Sequence, residues 1–165
     1  MKKTNVKSLV EQIARVTRER MSAAPVVSLA EIKKKKPKKP PPILLVIEDD
    51  ETVRKSLKRI FEKTGYLVLA ASDGPELTEV LYETAIDLIM LDVGLPWIDG
   101  YELAKMMKGH EDLRSVPIVF ISGHNDHEAI KKGFRAGAHD YITKPFDIEK
   151  VKKTVDTLLK LNARE

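Results

Sequence analysis

Four short stretches of this 165-residue chain carry side chains able to bind a cation or attack an electrophile, and each directly follows an apolar run of strand length. Leu88-Ile89-Met90-Leu91 runs into Asp92 and then into a proline-broken loop, Val93-Gly94-Leu95-Pro96. Ile43-Leu44-Leu45-Val46-Ile47 runs into Glu48, Asp49 and Asp50. Ile118-Val119-Phe120-Ile121 ends in Ser122-Gly123, and the segment at Tyr141-Ile142 ends in Thr143-Lys144-Pro145. Open α/β sheets bind ligands outside the carboxyl ends of their parallel strands, so these residues fall where such a sheet does its chemistry.

Taken singly, each has a plainer role. Acids before a helix cap it and offset its dipole, a serine after a strand serves a turn, and a lysine belongs in water. Asp92 resists this, because the next helix starts six or more residues later. Taken together, several carboxylates converging on one point repel each other unless a cation joins them. A hard, oxygen-preferring ion such as Mg²⁺ suits such a set, taking one or two carboxylates, a backbone carbonyl and waters. With a hydroxyl and an ammonium on the same edge, the set suits a tetrahedral anion held against Asp92, with Asp92 as nucleophile forming an acyl phosphate.

The elements that must position these residues follow from hydrophobic period. Apolar runs of strand length alternate with helical spacings: Val53, Leu57, Ile60 and Phe61; Leu77, Val80 and Leu81; Leu103, Met106 and Met107; and Ile148, Val151, Val155, Leu158 and Leu159. Thr64-Gly65 stops the first helix, Ser72-Asp73-Gly74-Pro75 starts the second, Asp99-Gly100 the third, Asn125-Asp126 the fourth and Asp147 the last. Strands are expected at 43–47, 66–70, 86–91, from 118 onward and at 139–142. Five strands alternating with five helices predict an α/β fold, a doubly wound five-stranded parallel sheet with helices on both faces (flavodoxin-like), plus a basic N-terminal extension.

Composition divides the chain at about Pro42. Residues 1–42 hold 12 Lys and Arg against three acids, while the rest hold 17 against 22, so the globular part is acidic. Lys33 to Pro42 combines like-charge repulsion with clustered prolines, which makes residues 23–42 a stiff, solvated linker. Val6, Leu9, Val10, Ile13 and Val16 place a short amphipathic helix within residues 1–22, suited to docking, self-association or tethering. There is no cysteine, which removes disulfides, thiolate metal sites and a thiol nucleophile. No run approaches the ~18 apolar residues of a membrane span, and the expectation is a cytoplasmic protein without membrane insertion.

The ordered set of motifs resembles the receiver domain of two-component response regulators over residues 43–162. It rests on Val46-Ile47-Glu48-Asp49-Asp50, on Leu91-Asp92-Val93-Gly94-Leu95-Pro96 followed by Asp99-Gly100, on Phe120-Ile121-Ser122-Gly123, on Gly137-Ala138 and on Asp140-Tyr141-Ile142-Thr143-Lys144-Pro145-Phe146. The resemblance implies that Asp92 is the phosphoacceptor, that Glu48 and Asp49 hold Mg²⁺ with Asp92 and the backbone carbonyl of Gly94, and that Ser122 and Lys144 contact the phosphoryl group. It implies further that Tyr141 is an aromatic switch acting with Ser122, and that the Lys144-Pro145 bond is cis. Departures from the common pattern are the third acid Asp50, Gly94 with His124 beside the site, and the bulky Trp97, expected to shield or flank its loop.

Haloacid-dehalogenase-like phosphatases are a competing class, because Glu48-Asp49-Asp50-Glu51-Thr52 mimics their Asp-x-Asp-x-Thr. Their nucleophile is the first Asp, here Glu48, and the chain has no room for their cap domain. The expectation is therefore a non-enzyme signalling protein. It is read as a single-domain response regulator taking a phosphoryl group onto Asp92 from a histidine kinase or phosphotransfer protein and altering its affinity for a downstream protein. The alternative is a phosphorylation-independent interaction scaffold whose basic tail binds a polyanion. The spacer reading of the tail is preferred, so nucleic acid is not expected as a partner.

Overall fold

The computed structural model describes Arg15 and residues 40–162. A compact unit begins at Pro41; apart from Arg15, which is helical, the expected N-terminal helix lies outside the described residues, as does most of the Lys/Pro linker. The order is β1 (Ile43–Ile47), α1 (Glu51–Lys63), β2 (Leu67–Ala71), α2 (Gly74–Glu83), β3 (Leu88–Leu91), α3 (Gly100–Gly109), β4 (Ile118–Ser122), α4 (His127–Arg135), β5 (Asp140–Thr143) and α5 (Ile148–Asn162). All strand pairs are parallel, and the sheet order is β2-β1-β3-β4-β5.

Local chemistry sets the helix starts. Asp50, Asp73, Asp99 and Asp126 each precede a helix and accept a backbone N–H from its first turn, satisfying donors that a helix start leaves without partners. The chain leaves α1 through Gly65, whose φ of +94° is open to glycine at no steric cost. Strand residues alternate between two cores. Leu44, Val46, Leu88 and Met90 pack with Leu57 and Phe61 of α1 and Val151 and Val155 of α5. Leu45, Ile47, Ile89 and Leu91 pack with Leu77, Leu103, Ala104 and Met107 on the other face. Burial on both faces is why β1 and β3 read as unbroken apolar runs.

Four expectations shift, two of them slightly: β2 and β5 each run one residue later than expected, at Leu67–Ala71 and Asp140–Thr143. Met106 is not inward but 60 % exposed, because the buried stripe of α3 runs through Gly100, Tyr101, Leu103, Ala104 and Met107; a stripe that includes Tyr101 and Ala104 turns Met106 outward at 100° per residue. β3 begins at Leu88 rather than residue 86, since the Asp87 carboxylate accepts the Ile43 N–H at 2.7 Å. Among the described residues no helix is long and apolar enough to cross a membrane.

Tyr66 ties the start of β2 to α5 through a 2.5 Å hydrogen bond from its hydroxyl to Asp156. Burial, then the Asp156 hydrogen bond and charge, push this phenol up to about 12. The folded state therefore holds the proton more tightly than the unfolded chain. This contribution to stability is complete below the ordinary tyrosine value of about 10 and is lost as pH rises through about 12. Chemical denaturation between these limits should show a steeper loss of midpoint with pH in wild type than in Tyr66→Phe.

Candidate functional site

The register puts the charged residues together. Ile47 pairs with Leu91, so Glu48 and Asp92 leave neighbouring strands side by side, with the Asp92 N–H donating to the Ile47 carbonyl at 2.9 Å. Ser122 pairs with Thr143 at the ends of β4 and β5, and the Lys144 N–H donates to the Ser122 carbonyl at 2.7 Å. The edge lies where β1 is followed outward by β2 and the chain then crosses to β3, the switch point at which doubly wound sheets open a crevice.

Carboxylate oxygens of Glu48, Asp49 and Asp92 lie within 4.8 Å of one another. Glu48 is 2 % exposed and Asp92 7 %, while Asp49 faces solvent. Lys144 Nζ donates to Glu48 Oε2 at 2.7 Å and stands 3.4 Å from Asp92 Oδ1. Burial, together with the neighbouring Asp92 charge, raises the Glu48 carboxyl above its ordinary pKa even though Lys144 and the Asp50 N–H work against it. Burial alone would lower the Lys144 pKa, but its bond to Glu48 and the Asp92 and Glu48 charges prevail and leave it raised. The ammonium is thus fixed in its charged form. The Lys144-Pro145 peptide is cis.

Asp50, the third acid, is the α1 cap: its Oδ1 accepts the Val53 N–H at 3.0 Å. Gly94 lies against the site, where an added Cβ would be 3.7 Å from Asp92 Oδ2. The Ser122 hydroxyl is fully buried and accepts the His124 N–H at 3.1 Å. Tyr141 stands apart from the charges, its hydroxyl donating to the His124 carbonyl at 2.8 Å. Trp97, within the loop that follows Asp92, reaches across to the β2–α2 loop: its Nε1 donates to the Ser72 carbonyl at 3.0 Å and its ring lies against Gly74.

One supporting residue, Arg54, escapes the sequence reading, and Gly100 enters it only as a motif and helix-start residue, without its contact to the Asp92 backbone. Arg54, on α1, donates through Nη1 to the carbonyls of Glu48 and Asp49 at 2.9 and 3.0 Å and so holds the acidic turn. Its only sequence signal is a position four residues after the cap. Gly100 brings α3 against the backbone of Asp92: its N–H donates to the Val93 carbonyl at 3.0 Å, and a Cβ there would sit 2.5 Å from the Asp92 carbonyl oxygen.

Fold and site together define a flavodoxin-like α/β domain with a cluster of acids and a lysine at its switch-point edge. The family model of the response regulator receiver domain matches residues 44–156, and the chain belongs to that family. Receiver domains are signalling phosphoacceptor domains of two-component systems, phosphorylated by histidine kinases or phosphotransfer proteins, and they bind Mg²⁺ at an acidic pocket. Similar proteins include the transcriptional regulatory protein CrdR of Helicobacter pylori, 36 % identical over 61 % of this chain and 47 % of its own length. The aerobic respiration control protein ArcA of Escherichia coli is 38 % identical over 57 % of this chain and 38 % of its own. The chain thus spans less than half the length of these curated relatives. Among solved structures, the signal receiver domain of a Syntrophus aciditrophicus histidine kinase is 35 % identical with a TM-score of 0.66, covering 72 % of this chain and 90 % of that one. Vibrio cholerae CheY4 is 25 % identical with a TM-score of 0.67, covering 72 % and 98 %.

The two glycines of this site should respond differently to one added methyl group. Gly100→Ala meets backbone that cannot rotate away and should cost about 1–3 kcal/mol in urea denaturation. Gly94→Ala, whose Cβ meets nothing closer than 3.7 Å, should change stability by no more than about 0.5 kcal/mol.

Proposed function

We propose that this chain is a Mg²⁺-dependent phosphoacceptor that receives a phosphoryl group on Asp92 from a histidine kinase or phosphotransfer protein and signals by changed affinity for a partner protein. The observation that carries the reading is Lys144 Nζ lying between Glu48 and Asp92, 2.7 and 3.4 Å away, within the three-carboxylate cluster. Three negative charges meet one positive charge there, and a divalent cation balances the remainder. The donors are all hard oxygens and Asp49 is open to solvent, which leaves room for the waters that Mg²⁺ retains. Glu48, Asp49 and Asp92, with the Gly94 carbonyl, are the residues assigned to hold it. When bound, the ion neutralises charge on the phosphoryl oxygens.

An Asp92 carboxylate oxygen attacks phosphorus. The bond from phosphorus to the donor's nitrogen or oxygen breaks, its electron pair leaves with the donor, and an acyl phosphate forms on Asp92. Lys144, already charged and aimed at Asp92, then has a phosphoryl oxygen to bind in place of part of its contact with Glu48. Ser122, at the strand end next to Lys144, supplies the hydroxyl, and movement of Ser122 and Tyr141 biases the surface that a partner reads.

With a small acyl-phosphate donor and Mg²⁺, wild type should gain one hydroxylamine-labile phosphoryl group by mass spectrometry. Asp92→Asn, or chelation of the metal, should reduce labelling to background; equal labelling of wild type and Asp92→Asn sinks the assignment. Asp49→Asn should raise the Mg²⁺ concentration required for half-maximal labelling. Asp50→Ala should leave that requirement unchanged while losing about 1 kcal/mol of stability as a helix cap. Lys144→Ala should retain labelling better than it retains the Trp97 fluorescence change produced by a beryllofluoride phosphate mimic.

A further inference from the structure

Behind the charged edge, two tyrosine hydroxyls meet in the core. Tyr101 is the second residue of α3 and Tyr141 the second of β5; they are 5 % and 8 % exposed, and their Oη atoms are 3.2 Å apart. The Tyr141 hydroxyl donates to the His124 carbonyl at 2.8 Å and the Tyr101 hydroxyl to the Ala129 carbonyl at 3.1 Å. The Phe120 ring packs against both, with centroids 5.2 Å from Tyr101 and 5.8 Å from Tyr141. Lys132 Nζ stands over the Tyr101 ring, 4.5 Å from its centroid, and 3.5 Å from Asp99 Oδ2.

Proton counting shows what this pair does. Two hydroxyls carry two protons but make three close contacts, two to carbonyls and one to each other. If Tyr141 keeps its short bond to His124, the Tyr101 proton serves either Ala129 or the Tyr141 oxygen; in the opposite arrangement Tyr141 donates to Tyr101. Whenever either hydroxyl donates to the other, the two form one network spanning α3, β5, the β4–α4 loop and the first turn of α4; when each donates to its own carbonyl, the 3.2 Å approach of the two oxygens keeps the alternative within reach of a hydroxyl rotation. Burial, then the bond to Tyr141, raises the Tyr101 pKa well above the ordinary tyrosine value, so it remains a donor. Helix α4 packs closely against Tyr141 and Phe120 through Gly133, where a Cβ would lie 2.7 Å from the Tyr141 ring and 3.2 Å from Phe120.

We propose that Tyr101 is a positioning residue whose hydroxyl holds Tyr141 in its inward seat, tying the loop that follows Ser122 to the start of α3 that abuts the Asp92 backbone. The inward seat is then populated before any phosphoryl group arrives, and phosphorylation acts on an equilibrium already biased toward it. Only this signalling consequence rests on the phosphoacceptor reading of Asp92; the seating itself does not.

Amide hydrogen exchange on the full chain without phosphodonor tests the seating. Tyr101→Phe retains the ring and its packing and removes only the hydroxyl. Exchange over residues 123–129, including the His124 N–H held by Ser122, should accelerate by roughly threefold to tenfold, the net worth of about one hydrogen bond. Amides of β1 and α1 should keep their wild-type rates. Tyr141→Phe should accelerate the same segment, and the double variant should be slower than the product of the two single effects, since both remove one network. Rates in Tyr101→Phe equal to wild type, acceleration spread equally over β1, or fully multiplicative effects would each overturn the proposal. Asp92 labelling is scored separately, so either reading can fail without the other.

Discussion

Two carboxylates almost out of water at the end of adjacent strands are the constraint around which this molecule is arranged. Glu48 and Asp92 repel each other across the β1–β3 pair, and the burial that raises Glu48 also makes an unpaired charge there costly. Lys144 resolves the conflict in part, and it can do so only because β5 lies two strands from β3 and delivers the lysine to the same edge. Asp49 keeps the cluster short of positive charge. The site carries more negative charge than Lys144 balances, and that excess rather than any single residue is what favours a cation there.

Rigid supports surround this site. Arg54 pins the carbonyls of the acidic turn, Asp50 is committed to the cap of α1, and Gly100 lets α3 rest directly on the Asp92 backbone. Trp97 fastens the Asp92 loop to the β2–α2 loop through the Ser72 carbonyl. Apart from the Asp50 cap, these contacts anchor on backbone groups, so they fix Glu48, Asp49 and Asp92 without occupying their carboxylates. Preorganisation of that kind keeps the carboxylates close together without further rearrangement of the backbone.

The aromatic column of Tyr101, Phe120 and Tyr141 forms a second layer with a different physics. It contains no formal charge, and its order comes from ring packing and two hydroxyl protons shared among three contacts. Because Phe120 lies on β4 and Tyr101 begins the helix that touches Asp92, this layer reaches the charged edge through backbone rather than through salt bridges. A network with more contacts than protons has more than one hydrogen-bonded arrangement.

By itself the sequence determined the class of fold, most helix starts and the identity of the charged residues. Apolar runs, aspartate caps and helical spacings are properties of a few consecutive residues, and their physical causes act within one or two turns. Glu48, Asp92, Ser122 and Lys144 could be singled out because each stands where an apolar strand stops. What lay beyond it was decided between distant residues. Whether Asp50 served metal or helix, whether Met106 faced in or out, and whether Arg54 or Tyr101 mattered at all depended on strand order, register and helix rotation. Lys144 reaches Glu48 across 96 positions and Tyr101 meets Tyr141 across 40; no local period encodes either. Those contacts exist only after the two faces of the sheet are buried and the register of β1 against β3 is set, and that is a choice made by packing the whole domain.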